Sequence, residues 1–539
     1  MASEKSGPDN TPASLLITEA IEKESRNSMD QPRPLAFEAD LPPMDEGRAA
    51  YGVLAAVTLL SMMPFGVISS FGVFFQYYVL QRYEHADRAV WIGGISNGIM
   101  SLFAPLMVYA CLKLTPQLPL LYYIGFGWLL SFVALLSAAF CRSVALLILT
   151  QGVLLGIGAL FVGYPSLMIL NSWFVKRRGF AYGICFASTK LVSIGLGFLI
   201  NYSLHAHGRK TTFFIMTALV GAVPLAALPF VHERGASSPL KRVLPVGATG
   251  SAIAEIRPTS TLSTISMVRP YYYQVLFYVM LVAYFLESVG YAIPKFYIST
   301  YSADILGLPT YTGPLLLALY NTTGVISKPL FGHLSDLGPP QLLMVLTTIA
   351  CAISMIVFWG VASMLSLTSA RLGMLATFIT VFSFAGQGFS SLASRMSRCF
   401  RQMSSSSYAT DETAPLPAVN EKSEASVSVR QQNDQGRDDS QQVYAWLNVA
   451  RGTAYMVSAP TSEVLLNPAN DSELGTYGLV RSRAFAGGPG WRSLIVFSAV
   501  LMIAATFMSV FAWVADRSTF RASIRRKKSN LGPERDQNA

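Results

Sequence analysis

Long apolar runs alternate with polar connections along most of this chain, and the alternation predicts a membrane protein. Each run has about 20 residues or more, the length that an α-helix needs to cross roughly 30 Å of hydrocarbon. The approximate spans of the runs are 50–80, 90–114, 118–140, 144–170, 179–204, 211–231, 271–299, 310–335, 339–363, 372–394, 444–466 and 491–515. A soluble core has no use for so many runs, so the pattern predicts twelve transmembrane helices.

The order of the runs predicts two related halves, because six runs are followed by a polar linker and then by six more. Internal repeats of this kind are common in secondary transporters. The expected fold class is therefore an all-α membrane protein with two six-helix bundles. The predicted divisions are an N-terminal tail (1–49), a first bundle (50–231), a linker (232–270), a second bundle (271–515) with a polar insert (395–443), and a basic tail (516–539).

The amino-acid composition agrees with a membrane protein that carries polar tails and polar loops. Apolar residues make up 52% of the chain and charged residues 13%, against about 25% charged in a typical soluble domain. Residues 1–49 lack the pattern of a secretory signal, so the first apolar run is expected to target the membrane. Residues 402–442 are rich in Ser, Gln and acidic residues, and this composition predicts disorder.

Lysine and arginine predict the orientation of the helices. They are concentrated in the two tails and in the even-numbered loops, which favours cytoplasmic termini. The compact cluster Lys176, Arg177 and Arg178 is the strongest local sign, and Lys295 is assigned to an odd-numbered loop after the seventh run. The sequon at Asn470 then lies outside the cell and is the predicted glycosylation site. The net charge of +10 suits this topology, so no nucleic-acid partner is expected, and the expected location is the plasma membrane.

Motifs for enzymatic or ATP-driven chemistry are missing from the sequence. There is no phosphate-binding Gly-x-x-x-x-Gly-Lys-Ser/Thr loop, no nucleophile elbow and no His-Glu-x-x-His pair. The five cysteines are scattered and none forms a C-x-x-C pair. We therefore expect no enzyme, no cofactor and no metal site.

A loop motif follows the eighth run. Gly332, Asp336 and Gly338 fall at a helix end and in the tight loop after it. An acidic group at such a position can accept hydrogen bonds from the N-terminus of a neighbouring helix, and glycine permits the turn. The stretch resembles the loop signature of the major facilitator superfamily. In the first half, Val108 and Leu112 stand where the signature would have Gly and Asp.

A second stretch resembles one particular family within that superfamily. Residues 172–183 read S-W-F-V-K-R-R-G-F-A-Y-G, similar to the element that opens the fifth helix of monocarboxylate transporters. Residues 42–47, P-P-M-D-E-G, are an imperfect match to that family's Pro-Asp-Gly-Gly entry, and the pattern is closest to fungal members. The resemblance implies alternating access, with a site between the halves for a small organic acid or related metabolite that is expected to be anionic.

Three positions depart from the proton-coupled members of that family. Ser69 stands at their first-helix Lys, Gly324 at their eighth-helix Asp, and Lys328 at their eighth-helix Arg. These departures weaken the case for proton-coupled lactate transport and leave a coupling proton open. Efflux of a larger, secondary metabolite is an alternative. A transport-inactive membrane sensor is an alternative of another class.

Ionisable residues inside the runs complete the candidate site, since a charge at a helix centre costs about 2.5–3.5 kcal/mol on insertion scales. Lys190 is expected either to face a substrate cavity or to form an internal salt bridge with Glu287. Lys328 is expected either to face the substrate cavity or to lie near the loop and support Asp336. Arg451 and Glu463 are expected to snorkel towards the membrane surface. The candidate substrate-binding residues are Lys190, Lys328, Glu287, Asn321, Gly324 and Ser69.

Overall fold

The computed structural model describes residues 45–81, 86–114, 118–174, 177–232, 275–337, 339–408, 422–466 and 485–530. Most of the N-terminal tail, most of the linker 232–270 and the sequon at Asn470 lie outside these ranges.

The described residues form twelve long helices in chain order, labelled α1 to α12. Their bounds are α1, Arg48–Ser69 continued by Phe71–Leu80; α2, Val90–Leu102 continued by Ala104–Leu114; α3, Leu120–Ala138; α4, Val144–Leu147, a π-helical turn Ile148–Leu154, and Leu155–Trp173; α5 and α6, the two parts of Arg178–Ala227 on either side of residue 208; α7, Val275–Asp304; α8, Thr312–Leu337; α9, Pro340–Ser354, a π-helical turn Met355–Trp359, and Gly360–Ala362; α10, Thr368–Tyr408; α11, Lys422–Leu466; and α12, Pro489–Asn530.

The predicted number of helices is confirmed, although not every helix is strongly apolar. Within the described ranges, nine segments are long and apolar enough to cross a membrane. One of the nine holds both α5 and α6, which are separated by a break at Gly208 with φ of 78°, a left-handed conformation that glycine adopts at little cost. The helices outside the nine are α8 and α11, which carry Lys328 and Arg451 within their described parts.

Helix bounds differ from the apolar runs mainly around the polar insert. Helix α10 continues to Tyr408 and α11 begins at Lys422. The helical backbone therefore enters the segment 395–443, for which composition predicts disorder. Disorder of this insert stays a prediction.

The two bundles repeat one packing scheme. In the first, α1 contacts α5, α2 contacts α4, and α3 contacts α4; in the second, α7 contacts α11, α8 contacts α10, and α9 contacts α10. Between the bundles, α1 contacts α7, α2 contacts α11, and α5 contacts α8. Exchanging the bundles turns the α2–α11 contact into the α8–α5 contact, so these two interfaces are equivalent under a pseudo-two-fold axis.

Small residues allow the bundles to approach closely along the α2–α11 interface. A Cβ atom added at Gly98 would lie 2.6 Å from Met456 Cγ, and one added at Gly452 would lie 2.3 Å from the backbone nitrogen of Leu102. Such contacts need glycine, as is usual where helices pack closely in membranes.

The hydrophobic cores show that the bundles are joined at one face and separate at the other. We call the face where α1 begins the N-terminal face, and the other the opposite face. Towards the opposite face, one core cluster includes residues of both bundles, such as Phe75 and Tyr297. Towards the N-terminal face, a cluster around Trp173 belongs to the first bundle and a cluster around Tyr284 belongs to the second. A small contact of α2 with α11 around Val108 is the exception.

Candidate functional site

Five charged residues lie together between the bundles, near the level where the shared core gives way to the two separate cores. They are Lys190 on α5, Glu287 and Lys295 on α7, Lys328 on α8 and Arg451 on α11. Lys295 interacts electrostatically with Lys190, Lys328 and Arg451, and Glu287 interacts with Arg451. We call these five residues the central charge cluster. It contains four cations and one carboxylate.

Lys190 and Lys328 rest on aromatic rings across the α5–α8 interface. The Nζ atom of Lys190 lies 5.6 Å from the ring centroid of Tyr320, and that of Lys328 lies 5.4 Å from the ring centroid of Phe186. In the described part of the chain, neither ammonium group has a hydrogen bond or an ion pair. Cation–π contacts attract the charge but leave the N–H donors available for a ligand.

Glu287 does not neutralise Lys190. Its side chain is buried, and its Oε2 accepts a hydrogen bond of 3.2 Å from Ser288 Oγ. Among the described residues, no cation lies within ion-pair distance of this carboxylate, and its electrostatic partner is Arg451 on α11. The predicted alternative of a Lys190–Glu287 salt bridge is therefore wrong for this conformation, and the cavity interpretation of Lys190 remains.

Arg451 and Glu463 differ in their surroundings, although both were expected to snorkel. Arg451 lies well inside α11, and its Cζ atom is 5.1 Å from the ring centroid of Tyr284. The snorkelling prediction is therefore wrong for Arg451, because its guanidinium packs on α7 and interacts with Glu287 and Lys295 inside the protein. Glu463 lies near the end of α11, where it accepts a 2.6 Å hydrogen bond from Trp91 Nε1 and has Arg88 at 3.8 Å. These contacts join α11 to the first bundle at the opposite face.

Lys295 is a member of the cluster that sequence analysis missed, because it was assigned to a loop. It lies inside α7 and is buried. Its Nζ atom donates a 2.9 Å hydrogen bond to Asn97 Oδ1 on α2, and Asn97 Nδ2 donates to the carbonyl of Gly93 at 2.8 Å. The ring centroids of Phe296 and Tyr455 lie 5.6 and 5.4 Å from Nζ. The available signal was its position within the predicted seventh span, 271–299.

Gly324 is closely covered by a side chain from α10. A Cβ atom at this position would lie 2.0 Å from Oε1 of Gln387, whose Nε2 donates a 2.7 Å hydrogen bond to the carbonyl of Tyr320. The structure therefore has no space for an aspartate where the resemblance would place one. Sequence analysis did not identify Gln387, since nothing in the local pattern connects it to Gly324.

Asn321 and Ser69 have different environments. Asn321 is completely buried, and within the described structure neither its Oδ1 nor its Nδ2 has a hydrogen-bond partner. An unpaired buried amide costs about 1–3 kcal/mol per group, so Asn321 is suited to pair with a ligand or water. Ser69 is partly buried at the end of the first segment of α1. The next residue, Ser70, joins α1 to α5 by donating to the carbonyl of Ser193 at 3.2 Å.

The loop-motif residues at the N-terminal face are described only in part. The side chains of Asp336 and Arg178, and the whole of Gly338 and Lys176, lie outside the description. Gly332 belongs to α8, and a Cβ atom added there would have open space around it.

Arg177 brings together the two stretches that resemble monocarboxylate transporters. Its backbone N–H donates a 2.8 Å hydrogen bond to Oδ1 of Asp45, and the backbone N–H of Asp45 donates to the carbonyl of Trp173 at 3.0 Å. Asp45 thus accepts a bond at the start of α5, where a negative charge is favourable. The sequence pattern contained Asp45 but did not indicate this role.

Two pseudo-symmetric six-helix bundles, with charged residues buried between them, are typical of multi-pass membrane transporters. Residues 54–409 match the family model described as Major Facilitator Superfamily. The chain belongs to the major facilitator superfamily.

Solved structures confirm the fold. The nucleoside transporter NupG superimposes with a TM-score of 0.57 at 11% identity, over 85% of this chain and 99% of that chain. A bacterial homolog of the human lysosomal transporter Spinster, in an inward-facing and unoccupied conformation, gives a TM-score of 0.54 at 15% identity, over 87% of this chain and 96% of that one.

Relatives confirm the resemblance to monocarboxylate transporters and to fungal transporters. Monocarboxylate transporter 13 of Rattus norvegicus is 26% identical over 315 residues, which cover 58% of this chain and 68% of the relative. Monocarboxylate transporter 10 of Danio rerio is 25% identical over 317 residues, 58% of each protein. An MFS-type transporter of Gibberella zeae is 28% identical over 319 residues, 58% of this chain and 65% of the relative.

Proposed function

We propose that this protein is a secondary active transporter of a small organic acid or related anionic metabolite, which binds between the bundles at Lys190 and Lys328. One observation carries the proposal: these two ammonium groups lie at the interface and have no carboxylate partner among the described residues. Burying such charges is costly, and the cost is offset when an anion binds beside them. The names of the monocarboxylate transporter relatives agree with an acidic substrate.

The charge balance of the whole cluster also favours an anion. When all five groups are ionised, the four cations exceed the single carboxylate of Glu287 by three positive charges. A substrate carboxylate reduces this excess, whereas a cationic substrate would increase it. A neutral substrate would leave it unchanged.

The arrangement of the cores supports alternating access as the mechanism. The bundles share a core at the opposite face and have separate cores at the N-terminal face, so a rocking motion about the central charge cluster can exchange the open and closed faces. We place the N-terminal face in the cytoplasm, as the basic residues favour, and the protein in the plasma membrane. On this assignment the described conformation is closed towards the outside.

A coupling proton, if one is used, is assigned to Glu287. It is the only carboxylate of the central charge cluster, and position 324 has neither an acid nor space for one. The variant Glu287→Gln should then lose acceleration of uptake by an imposed pH gradient. Exchange of labelled for unlabelled substrate, which needs no net proton movement, should persist. Retention of the pH-gradient response in this variant would exclude Glu287 as the carrier.

The alternative of efflux of a larger, secondary metabolite gains no support from the environment of Gly324. The missing acid at Gly324 leaves no enlarged cavity, because Gln387 fills the space. Since export and import use the same site, the direction of transport stays open. A transport-inactive sensor is distinguished from a transporter by the flux measurement itself.

The test is uptake of labelled carboxylates into proteoliposomes that contain the purified protein, after a screen has identified a transported acid. Lys190→Gln and Lys328→Gln should each weaken apparent affinity by about 1.5–3 kcal/mol, or roughly tenfold to a hundredfold, as expected for a charge-assisted hydrogen bond. Lys328→Arg should be tolerated better, because it keeps the charge.

Lys210→Gln is the matched control. This lysine also rests on an aromatic ring, 5.3 Å from the centroid of Phe140, but it is exposed near the opposite face. Its replacement should leave affinity unchanged. Normal transport by both cluster variants, separately and combined, would overturn the anion-binding role of Lys190 and Lys328.

A further inference from the structure

A second pair of cations lies beside the α2–α11 interface. Lys295 projects from α7 and bonds to Asn97 of α2, while its Nζ atom lies 5.4 Å from the ring centroid of Tyr455 on α11. Arg451 is one helical turn from Tyr455 on the same helix and interacts electrostatically with Lys295. The pair therefore lies where α2, α7 and α11 meet.

The two cation pairs lie beside interfaces that correspond in the fold, although Lys295 itself is on α7. Lys190 and Lys328 lie at the α5–α8 interface, and the pseudo-two-fold axis exchanges that interface with α2–α11. One cation pair thus lies on each side of the axis between the bundles. The pairs are close enough to interact, since Lys295 is influenced electrostatically by both Lys190 and Lys328.

Lys295 keeps donors that no described residue uses. An ammonium group has three N–H donors, and a single protein acceptor, Asn97 Oδ1, is bound by this one. Glu287 offsets only one of the two charges in the second pair, because Arg451 is its electrostatic partner. Unused donors and an excess positive charge therefore exist on both sides of the axis.

We propose that the central charge cluster binds a substrate with two acidic groups, most simply a short dicarboxylate. One carboxylate binds at Lys190 and Lys328, and the other binds at Lys295. This inference rests on the proposed function and adds the second acidic group, for which Lys295 is the specificity-determining residue. The second acidic group has donors of its own, because Lys295 lies beside Asn97 of α2 whereas Lys190 and Lys328 lie across the α5–α8 interface.

The experiment compares acids of equal chain length that differ by one carboxylate, namely butyrate with succinate, pentanoate with glutarate, and hexanoate with adipate. Each competes with the identified transported acid in proteoliposomes near pH 7, where all these carboxylates are ionised. For at least one length, the dicarboxylate should compete about tenfold or more better than its monocarboxylate, as a second charge-assisted hydrogen bond predicts.

Variants test whether Lys295 causes the preference. Lys295→Gln should abolish the competitive advantage of the dicarboxylate, while the concentration of monocarboxylate needed to compete changes less than about twofold. Lys295→Arg should keep the advantage. Asn97→Ala removes the protein acceptor but keeps the charge, so the advantage should persist. A purely structural Lys295–Asn97 contact would instead make Asn97→Ala and Lys295→Gln behave alike. Lys210→Gln is the matched control and should behave as the wild type.

The outcomes separate this inference from the proposed function. Equal competition by monocarboxylates and dicarboxylates overturns the inference of a second acidic group but leaves the proposed organic-acid transport unaffected. Competition by inorganic phosphate as strong as that of the best dicarboxylate also overturns it, because one compact anion would then suffice. If no acid of either series competes, the inference of a second acidic group and the proposed organic-acid function are both overturned. If Lys295→Gln does not accumulate, the wild-type preference and its persistence in Asn97→Ala decide the question.

Discussion

Adding a side chain at Gly324 should destabilise the protein by displacing Gln387. In Gly324→Ala, the new Cβ would lie 2.0 Å from Gln387 Oε1 and 2.4 Å from its Cδ, whereas ordinary contact begins at 3.4 Å. Gln387 would have to move by more than about 1 Å, which breaks its 2.7 Å bond to the carbonyl of Tyr320. Overpacking of a core costs about 1–3 kcal/mol, and a lost hydrogen bond adds about 1 kcal/mol. The lower unfolded-chain entropy of alanine offsets about 0.5–1 kcal/mol of this cost, so we expect the free energy of unfolding to fall by roughly 1–3.5 kcal/mol.

The assay is thermal unfolding of the detergent-solubilised protein, followed by tryptophan fluorescence. Gly332→Ala is the control, since it lies on the same helix and its new Cβ would have open space. Alanine there should be neutral or stabilising by about 0.5–1 kcal/mol, because it lowers the entropy of the unfolded chain. The double variant Gly324→Ala, Gln387→Ala should have a free energy of unfolding at least about 1 kcal/mol higher than the sum of the two single changes predicts.

Equal stability of Gly324→Ala and Gly332→Ala would refute this reasoning. So would strict additivity of Gly324→Ala and Gln387→Ala, because the clash would then not be the cause. If the double variant is stable, Gly324→Asp can be added in the same background to test whether the acid that the resemblance predicts is compatible with this site.

Two further predictions concern the faces of the protein. Glu463→Gln replaces the charged hydrogen-bond acceptor of Trp91 with a neutral one and removes the ion pair with Arg88. Because these groups are partly exposed, the free energy that favours closure at the opposite face should fall by at most about 1 kcal/mol. Ser299 on α7 is buried against α1 in the closed conformation. A maleimide should therefore label a cysteine introduced at Ser299 severalfold faster when Glu463→Gln is also present, and an unchanged rate would contradict the role of this contact. The orientation predicts that an N-terminal tag is protected in intact cells and that Asn470→Gln removes the glycosidase-sensitive mass shift; an externally accessible tag would reverse the assignment of the faces.

The fold class and the family could be predicted from the amino-acid sequence alone. In a bilayer every backbone polar group must be paired within the segment, so a long apolar run has to form a helix. This local rule was sufficient to predict twelve helices arranged in two six-helix halves. The stretches around Asp45 and Lys176 carried the resemblance to monocarboxylate transporters, and the matching relatives confirm that resemblance.

Helix bounds were less predictable where polar residues interrupt the apolar pattern. Helix α11 begins at Lys422, far before the apolar run at 444–466, and α8 and α11 carry the charges that face the other bundle. Hydropathy measures preference for lipid, so it underestimates helices whose polar side faces protein. For the same reason Arg451 was wrongly placed near a membrane surface.

The contacts between residues on different helices became known only from the packed structure. The partner of Lys295 is Asn97, 198 positions away, and the side chain that fills the space at Gly324 comes from Gln387 on another helix. These pairings depend on how each helix is rotated and shifted against its neighbours, which is set by packing across the whole bundle. Apolar periodicity identifies the helices but leaves this relative placement undetermined. Lys190, Lys328 and Glu287 could therefore be predicted from the sequence as candidate site residues. The role of Lys295 and the absence of a Lys190–Glu287 ion pair followed only from the packed arrangement of α2, α5, α7 and α11.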